Sequence, residues 1–475
     1  MGKILFQVLA ALILQYNVMM QGMTQCVPST TMLLFKSENT TLDRPMTLTE
    51  SSLFASLSKI GSLLSTPVLG YLLDSLGRKR CAVMLSSLRV GFWIVLVFTR
   101  KVEVILFSVF LAGLSSPTFL VVTIFVSEIS QESIRGTLSS CTNVSYNLGF
   151  FVGFLFGGFL EYQMMVYLGT MMAMSGLLML LIVKESPMIL MKKGLEKEAA
   201  KSMAFYKNSI PESKVIQDDL ETIRRALTPH YQEVAQEEEK NAAELKEIVH
   251  PKKLSKLEFI KQSESTQRAF YLNLFLLSSA IFQGLIVVLT YAKPLFHESV
   301  TEDVLSSTWC CVLLSAVVVL AGFVGAYLTD MAGRRTLMIS ATIATGFFNL
   351  ALGFQIHLGW GPPWTTAVLV YLLCIAYTAG PGNVPFVLLG EMFLPEIRCI
   401  TSTVLIEWTS LCTFTCLFLY NPLVTVIGLG PVFYIFASVS FVTAAVCVFA
   451  LPETKGKTID AIQMLFVKQK NSVLA

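Results

Sequence analysis

A short charged motif occurs twice in this sequence, once in each half of the chain. The two copies hold, in order, Asp74, Gly77, Arg78 and Lys79, and Asp330, Gly333, Arg334 and Arg335. Each copy lies between two long apolar segments. Arginine binds carboxylates through charge-assisted hydrogen bonds, and cationic turns of membrane proteins stay on the cytoplasmic side. The motif therefore predicts two charge clusters that hold helix-end carboxylates at the inner mouth of a helix bundle.

Carboxylates follow each copy in the same order. A glutamate and an arginine separated by six residues occur as Glu128 with Arg135 and as Glu391 with Arg398. A third, fainter match ends each half, with Glu185-Ser186-Pro187 in the first and Pro452-Glu453-Thr454 in the second. Three signals repeated in one order indicate a duplicated unit.

The composition indicates the environment of these motifs. The chain has 475 residues, of which 54% are hydrophobic and 14% are charged. A soluble domain cannot bury so much apolar surface, so the sequence predicts a polytopic, all-α membrane protein. Twelve spans are predicted, in two six-helix bundles. The expected boundaries are an N-terminal bundle over 1–183, a cytoplasmic helical linker over 184–268, a C-terminal bundle over 269–451 and a cytoplasmic tail over 452–475.

The first predicted span runs from Ile4 to about Gln25, and the loop after it runs from about Val27 to Glu50. This loop carries a glycosylation sequon at Asn39, which fits an outer location. The loops assigned to the inside hold most of the lysine and arginine residues, so both termini are predicted to be cytoplasmic.

The linker alone holds sixteen lysine or arginine residues. It is either a solvated connector or a set of amphipathic helices packed beneath the bundle. The second interpretation is favoured because the large apolar side chains of Met203, Phe205 and Tyr206 favour burial away from water.

Together these motifs resemble those of the sugar porter family, a branch of the major facilitator superfamily, over nearly the whole chain. Further similar elements are Gly380-Pro381-Gly382 with Pro385 in the tenth span and Lys455-Gly456 after the twelfth. The stretch around Glu128 and Arg135 is similar to that of the facilitated trehalose transporters of insects. The resemblance implies a multi-pass protein of the cell membrane that carries a sugar. No cofactor, metal, nucleic acid or obligate protein partner is expected. The lipid bilayer is the expected surroundings of the protein.

The resemblance also implies where the substrate binds. The positions it assigns to substrate contacts are Asn143, Gln283, Phe386, Glu407 and Trp408. The amides that the family carries in the seventh span are replaced here by Ala280, Ile281 and Ile286. A polyol is recognised by groups that both donate and accept hydrogen bonds, and these side chains do neither. The scaffold therefore resembles a sugar transporter whose sugar-binding surface is depleted.

Three ionisable residues lie within predicted spans: Lys59, Arg89 and Glu407. A charge at the centre of a bilayer costs about 2.5–3.5 kcal/mol on insertion scales, so each needs a partner, water or a route to the interface. For Arg89, snorkelling along its helix and a functional role stay open. For Lys59 and Glu407 a function is favoured: the two pair directly or through water, or Glu407 meets the substrate.

The expected function is transport of a hexose or a trehalose-like sugar by alternating access and facilitated diffusion, with the arginine–glutamate clusters as the latch of the inner gate. The alternative is an ion-coupled or organic-ion transporter on the same scaffold. A nutrient receptor is disfavoured by the short C-terminal tail. An enzyme is not expected, because no phosphate loop, metal-spaced cluster or nucleophile motif occurs in the sequence.

Overall fold

The structure is a computed structural model that describes residues 2–224, 264–300, 306–393, 395–455, 457, 462 and 464–465. The regular secondary structure of these residues is entirely α-helical. A bilayer interior offers no water to backbone N–H and C=O groups. A helix satisfies those groups within one segment, which is why long apolar segments adopt it.

The N-terminal half builds six membrane-length spans from seven helices. These are α1 (Gly2–Lys36), α2 (Leu48–Ser75), α3 (Arg78–Phe98), α4 (Val102–Leu114), α5 (Thr118–Ile129), α6 (Glu132–Phe159) and α7 (Tyr162–Ile182). Helices α4 and α5 together form one span. Two short helices follow, α8 (Pro187–Lys192) and α9 (Glu196–Lys207), and residues 214–224 are also helical.

The C-terminal half repeats the count of six spans. Its helices are α10 (Glu264–Ile281), α11 (Leu285–Thr290), α12 (Ala292–Ser299), α13 (Ser307–Ala332), α14 (Arg334–Leu358), α15 (Trp364–Ala379), α16 (Val384–Glu391), α17 (Pro395–Ile427) and α18 (Leu429–Ala450). One broken span consists of α10 and α11, and another consists of α15 and α16.

Eleven helical stretches of the described residues are long and apolar enough to cross a membrane. The twelfth span is α6, whose 28 residues extend about 42 Å at 1.5 Å per residue and include the polar residues Asn143 and Asn147. The predicted fold, an all-α membrane protein with two six-helix bundles, is confirmed.

The first span is longer than the sequence suggested. Helix α1 continues through Pro28 to Lys36, so the outer loop does not begin near Val27. A proline inside a helix removes one backbone donor, but it does not end a helix that packing holds in place. Met32 and Phe35, on the turns after the proline, are fully buried, and this burial keeps the chain helical.

Three spans are interrupted, at residues 115–117, 282–284 and 380–383. The interruptions coincide with serine, glycine and proline, which favour turns over helix. Polar side chains take over the freed backbone groups; for example, the amide of Asn383 donates to the carbonyl of Thr378 at 2.7 Å. Broken spans of this kind put backbone polarity into the middle of a membrane bundle.

The described part of the linker packs against the end of the N-terminal half that carries Asp74 and Arg78. We call this end the inner end and the opposite one the outer end, after the orientation predicted from the sequence. Helix α9 lies beneath α1, where the rings of Phe205 and Phe6 are 5.9 Å apart. Tyr206 is fully buried and donates its hydroxyl to the carbonyl of Lys184. Amphipathic helices, rather than a solvated connector, therefore occupy this part of the chain. Residues 225–263 of the predicted linker lie outside the described residues.

The two halves meet most extensively along two pairs of spans, and α1 of the first half also contacts α11 and α12 of the second. Helix α2 of the first half packs along α17 of the second, and α6 packs along α13.

Candidate functional site

The first charge cluster lies at the inner ends of α2, α3 and α5. The guanidinium of Arg78 donates to the carboxylate of Glu128 through Nη2 at 2.8 Å and through Nε at 3.0 and 3.1 Å. The side chains are only 12% and 8% exposed. A further N–H of Arg78 donates to the carbonyl of Leu73 at 2.9 Å. A bidentate pair shielded from water in this way is among the strong polar contacts of a protein.

A second carboxylate caps the start of α3 in the same cluster. Glu185 accepts from the backbone N–H groups of Arg78, at 2.9 Å, and of Lys79, at 3.0 Å. Negative charge at a helix N-terminus is favourable because the free N–H groups carry partial positive charge. Gly77 makes this contact possible, because its φ is +106° and an added Cβ would lie 2.5 Å from Glu185 Oε2. The hydroxyl of Ser186 donates to Glu128 and links the two carboxylates.

The C-terminal half contains the same arrangement. Arg334 donates to Glu391 at 2.8 Å through Nη2 and at 3.1 Å through Nε, and it donates to the carbonyl of Thr329 at 3.0 Å. Glu453 accepts from the backbone N–H groups that begin α14, at 2.9 and 3.1 Å. The hydroxyl of Thr454 donates to Glu391 at 2.6 Å. The repeated sequence motifs therefore fold into two matching clusters.

Glu453 lies in the tail beyond the last span. Its partial burial raises the pKa of the carboxyl, but the backbone N–H groups of Lys455, Arg334, Arg335 and Thr454 outweigh burial and hold that pKa below its usual value. Gly333 precedes α14 with φ +85°, and like Gly77 it leaves room for the carboxylate that caps the helix. Glu453 is thus held as a carboxylate against the start of α14.

Some predicted gating residues join these clusters and others do not. Asp74 lies 3.3 Å from Arg78 and 3.0 Å from Lys192. Lys79 donates its ammonium to the carbonyl of Leu181 at 2.8 Å, and Arg335 donates to that of Val448 at 2.7 Å.

Arg135 is exposed on a cavity of about 650 Å³, and its side chain bonds to no other described residue. In this structure it is therefore not part of the bonded cluster. The side chains of Asp330 and Arg398 lie outside the described residues.

The proposed substrate contacts lie deeper in the membrane, on α6, α16 and α17. The indole of Trp408 donates to the hydroxyl of Ser278 at 2.8 Å while 41% of the residue stays exposed. Phe386 is 48% exposed. Asn143 is exposed on α6, where its carbonyl accepts from Asn147 at 3.1 Å. The side chains of Asn143, Phe386 and Trp408 are therefore accessible to a small molecule.

Glu407 lies at the contact between α2 and α17, beside Thr66. Both of its carboxylate oxygens are shielded from water, and neither has a hydrogen-bond partner among the described residues. The hydroxyl of Thr66 is committed to the carbonyl of Ser62 at 2.9 Å. Lys59 lies seven residues before Thr66, about 10 Å along the helix axis. The suggested direct pair of Lys59 and Glu407 is therefore not formed in this structure.

Gln283 is fully buried in the break between α10 and α11, unlike the other proposed contacts. Neither polar atom of its amide has a partner among the residues described. Asn349 donates to its backbone carbonyl at 3.1 Å, and Gly284 turns the chain with φ +96°. The side chain is therefore not part of an open binding surface here.

Arg89 does not snorkel, which corrects one of the two possibilities left by the sequence. It is 1% exposed in the core of the N-terminal half. Its guanidinium donates to the carbonyl of Asn17 at 2.6 Å, to Thr118 at 2.7 Å and to the amide of Gln21 at 3.2 Å. These acceptors come from α1 and from the break between α4 and α5, so Arg89 fastens three spans together.

A contact that sequence reasoning missed joins the halves at the opposite, outer end. Lys293 of α12 donates its ammonium to the carbonyls of Gly157, at 3.2 Å, and Thr30, at 3.4 Å. Gly157 lies in the last turn of α6, where carbonyls lack helical partners and attract a cation. The rings of Phe159 and Trp309 meet beside it with centroids 5.0 Å apart. Lys293 belongs to no recognisable motif, so the sequence could not predict this contact.

Comparisons with known proteins agree with this architecture. A model of the sugar (and other) transporter family matches residues 3–466. The facilitated trehalose transporter Tret1 of Drosophila yakuba is 24% identical over 468 residues, which cover 96% of this chain and 51% of that protein. The protein of the same name from Culex quinquefasciatus is 22% identical, over 96% of this chain and 85% of that protein. The chain spans about half the length of the first curated relatives that it matches.

Solved structures show the same fold at lower identity. The inward-open conformation of the xylose transporter XylE from E. coli matches with a TM-score of 0.73 at 17% identity, covering 96% of this chain and 98% of that chain. A peptide transporter, POT, in complex with sulfate matches with a TM-score of 0.65 at 13% identity, covering 97% of this chain and 95% of that one.

Proposed function

Because the chain belongs to the sugar (and other) transporter family, we propose that it moves a sugar across a membrane by alternating access of its two halves. In this mechanism a central site opens to one side of the membrane at a time, as one bundle rocks against the other. The two inner-end clusters and the outer-end contact of Lys293 are then the parts that close each side.

The observation that carries this proposal is the uneven contact between the halves. At the outer end Lys293 bridges from the second half to Gly157 and Thr30 of the first. At the inner end the bonds that Arg78 and Arg334 make to Glu128 and Glu391 stay within their own halves. A path that is closed outside and open inside would have these contacts.

We assign the substrate contacts to Asn143, Phe386, Glu407 and Trp408. Two aromatic rings offer flat apolar surfaces, while the amide and the carboxylate bind hydroxyl groups. Gln283 completes the assigned set, although its amide lies inside the C-terminal half in this state.

The sugar is proposed to be a hexose or a trehalose-like disaccharide that moves by facilitated diffusion. The ion-coupled alternative is not favoured, because the relatives at 22–24% identity are named trehalose transporters.

The proposed topology follows from the charge distribution. Residues 1–183 and 269–451 form the two halves, with 184–268 and 452–475 in the cytoplasm. Both termini are then cytoplasmic, the membrane is the cell membrane, and Asn39 carries a glycan on the outside. Arg135, Asp330 and Arg398 are assigned to the inner gate, where they act in the state with the inner ends together.

Uptake into proteoliposomes tests the function. Radiolabelled D-glucose and trehalose should enter saturably without a proton gradient. Trp408→Ala should lower uptake about tenfold, the equivalent of 1.4 kcal/mol of lost contact. Trp364→Ala is the matched control, because Trp364 is 49% exposed at the start of α15, away from the proposed path. Uptake no faster than in protein-free liposomes for every sugar tested would refute the proposal.

A further inference from the structure

A polar cleft of about 510 Å³ lies at the outer end of the N-terminal half, apart from the proposed transport path. Three segments line it: the loop between α1 and α2, the turn between α3 and α4, and the start of α7. Its side chains with binding chemistry are Thr41, Asp43, Arg100, Tyr162, Gln163 and Tyr167. All belong to one half, whereas the transport path runs between the halves.

Contacts within the protein fix the walls of this cleft in advance. The backbone N–H of Asp43 donates to the carbonyl of Arg100 at 3.1 Å, which ties the loop to the turn after α3. Arg44 anchors the same loop through Glu50 at 2.6 Å and Glu103 at 2.9 Å. A ligand that enters walls already in place loses less free energy to ordering them.

The cleft also holds hydrogen-bonding groups that the protein leaves unused. The hydroxyls of Tyr162 and Thr41 are shielded from solvent and have no partner among the described residues. Buried polar atoms are nearly always bonded, so orphaned ones need an explanation. Asp43 and Arg100 are exposed, and neither side chain forms an ion pair with another residue that the structure describes.

The chemistry of these groups selects a ligand class. The charges of Asp43 and Arg100 cancel, which favours a neutral ligand over an ion. A carboxylate accepts, a guanidinium donates and the amide of Gln163 does both, which suits adjacent hydroxyl groups. The ring of Tyr167 is 51% exposed and offers a flat apolar face. We propose that this cleft is a carbohydrate-binding subsite on the outer surface, independent of the sugar in the transport path.

Two sources can supply a carbohydrate here. One is free sugar in the outer medium. The other is the glycan of this chain at Asn39, an exposed residue directly before Thr40, which lines the cleft. Both sources present the same hydroxyl chemistry, and removal of the sequon separates them.

The test measures how fast a cysteine in the cleft reacts with a membrane-impermeant maleimide. Thr40→Cys is the reporter and Glu38→Cys is its control, since Glu38 is exposed but lies outside the cleft. Both changes preserve the sequon. Thr99→Cys is a second reporter within the cleft should the loop variant not fold.

In the Asn39→Gln background, D-glucose or trehalose at about ten times its Kd should slow labelling of the reporter roughly tenfold. Labelling of Glu38→Cys should not change, and Tyr167→Ala or Gln163→Ala should abolish the protection. If the glycan is the occupant, Asn39→Gln alone should speed labelling of the reporter by a similar factor.

The proposal is overturned if neither sugar nor removal of the glycan alters labelling of either reporter. Equal protection of Glu38→Cys, or protection that survives Tyr167→Ala, would overturn it as well. The labelling rate does not depend on transport, so failure of the proposed transport function would leave this test valid.

Discussion

The two inner-end clusters share one bonding pattern, but they differ in how deeply they are buried. Glu128, the partner of Arg78, is 8% exposed, whereas Glu391, the partner of Arg334, is 26% exposed. Helices α8 and α9 also cover the first cluster, where Lys193 donates to the carbonyl of Ser75. Two copies of one motif can therefore contribute different amounts to the free energy of unfolding. The first cluster should act mainly as an anchor, and the second should open at lower cost.

The largest expected effect comes from removing the buried charge of the first cluster. Glu128→Gln leaves the guanidinium of Arg78 without a counter-ion in a shielded site, which should cost about 3 kcal/mol of stability. Glu391→Gln should cost about 1.5 kcal/mol, the lower end for a hydrogen bond to a charged group, because water reaches that site. Thermal unfolding of the purified proteins in one detergent measures both.

Glu161→Gln is the matched control for these two changes, because Glu161 is exposed at the start of α7. It should leave the unfolding temperature unchanged. Equal losses for the variants at Glu128 and Glu391 would contradict the difference between the clusters.

Glycine substitutions test the backbone of each cluster with a smaller effect. Gly77→Ala and Gly333→Ala place a side chain at positive φ, which costs roughly 1–2 kcal/mol. The added Cβ would also approach Glu185 to 2.5 Å in the first cluster and Glu453 to 2.8 Å in the second. The variant at Gly77 should therefore lose more stability in the same unfolding measurement.

Gly70→Ala serves as the control for both glycines, because Gly70 is helical within α2 and nothing lies within 4 Å of an added Cβ. It should be neutral or slightly stabilising, since alanine favours helix. If Gly70→Ala lost as much stability as Gly77→Ala, positive φ would not explain the effect at Gly77.

The clusters were predictable from the sequence because each is encoded by short motifs at the ends of spans. Arg78 and Glu128 lie 50 residues apart, but the repeat in the second half identifies both as members of one unit. Most of the spans were predictable for a similar local reason, since eleven helical stretches of the described residues are long and apolar enough to cross a membrane.

The burial of Arg89 could not be predicted, because its acceptors come from α1 and from a break that only the folded bundle aligns. The outer contact of Lys293 depends likewise on where α12 meets the ends of α1 and α6. The orphaned amide of Gln283 depends on the turn at Gly284. Each is a property of packing between helices and not of any one segment.

The outer end differs from both clusters, because Lys293 belongs to no repeated motif. Lys293→Met should weaken the closed outer end by about 1 kcal/mol, the net value of a typical hydrogen bond. Cys26 and Cys311, which are buried beside Lys293, should then react faster with a membrane-impermeant thiol reagent. Unchanged reaction rates at both cysteines would show that Lys293 does not close this end.

The smallest expected effect concerns pH at the second cluster. The pKa of Glu453 is lower in the folded protein than its ordinary value of 4.5, so folding favours the carboxylate. Its stabilisation is therefore fully present above pH 4.5 and is lost as pH falls through the lower, folded pKa. Because Glu453 is only partly buried and water screens its charge, the contribution should be below about 1 kcal/mol.

Thermal unfolding across pH measures this contribution. Glu453→Gln should unfold at a lower temperature than the wild type at pH 7, and the difference should shrink as pH drops below 4.5. A difference in unfolding temperature that grows toward low pH would show that folding raises the pKa of Glu453 and does not lower it.

Alternating access is tested most directly by measuring the distances across both ends of the same molecule. Spin-labelled noncanonical residues at Arg80 and Met331, both exposed, report the distance across the inner ends. Labels at Glu161 and Trp360, also exposed, report the distance across the outer ends. In nanodiscs, addition of a transported sugar should produce a second population of molecules. In these molecules the distance across the inner ends should be shorter, and that across the outer ends longer, than without sugar. Distances that do not change, or that change in the same direction at both ends, would contradict alternating access by these two halves.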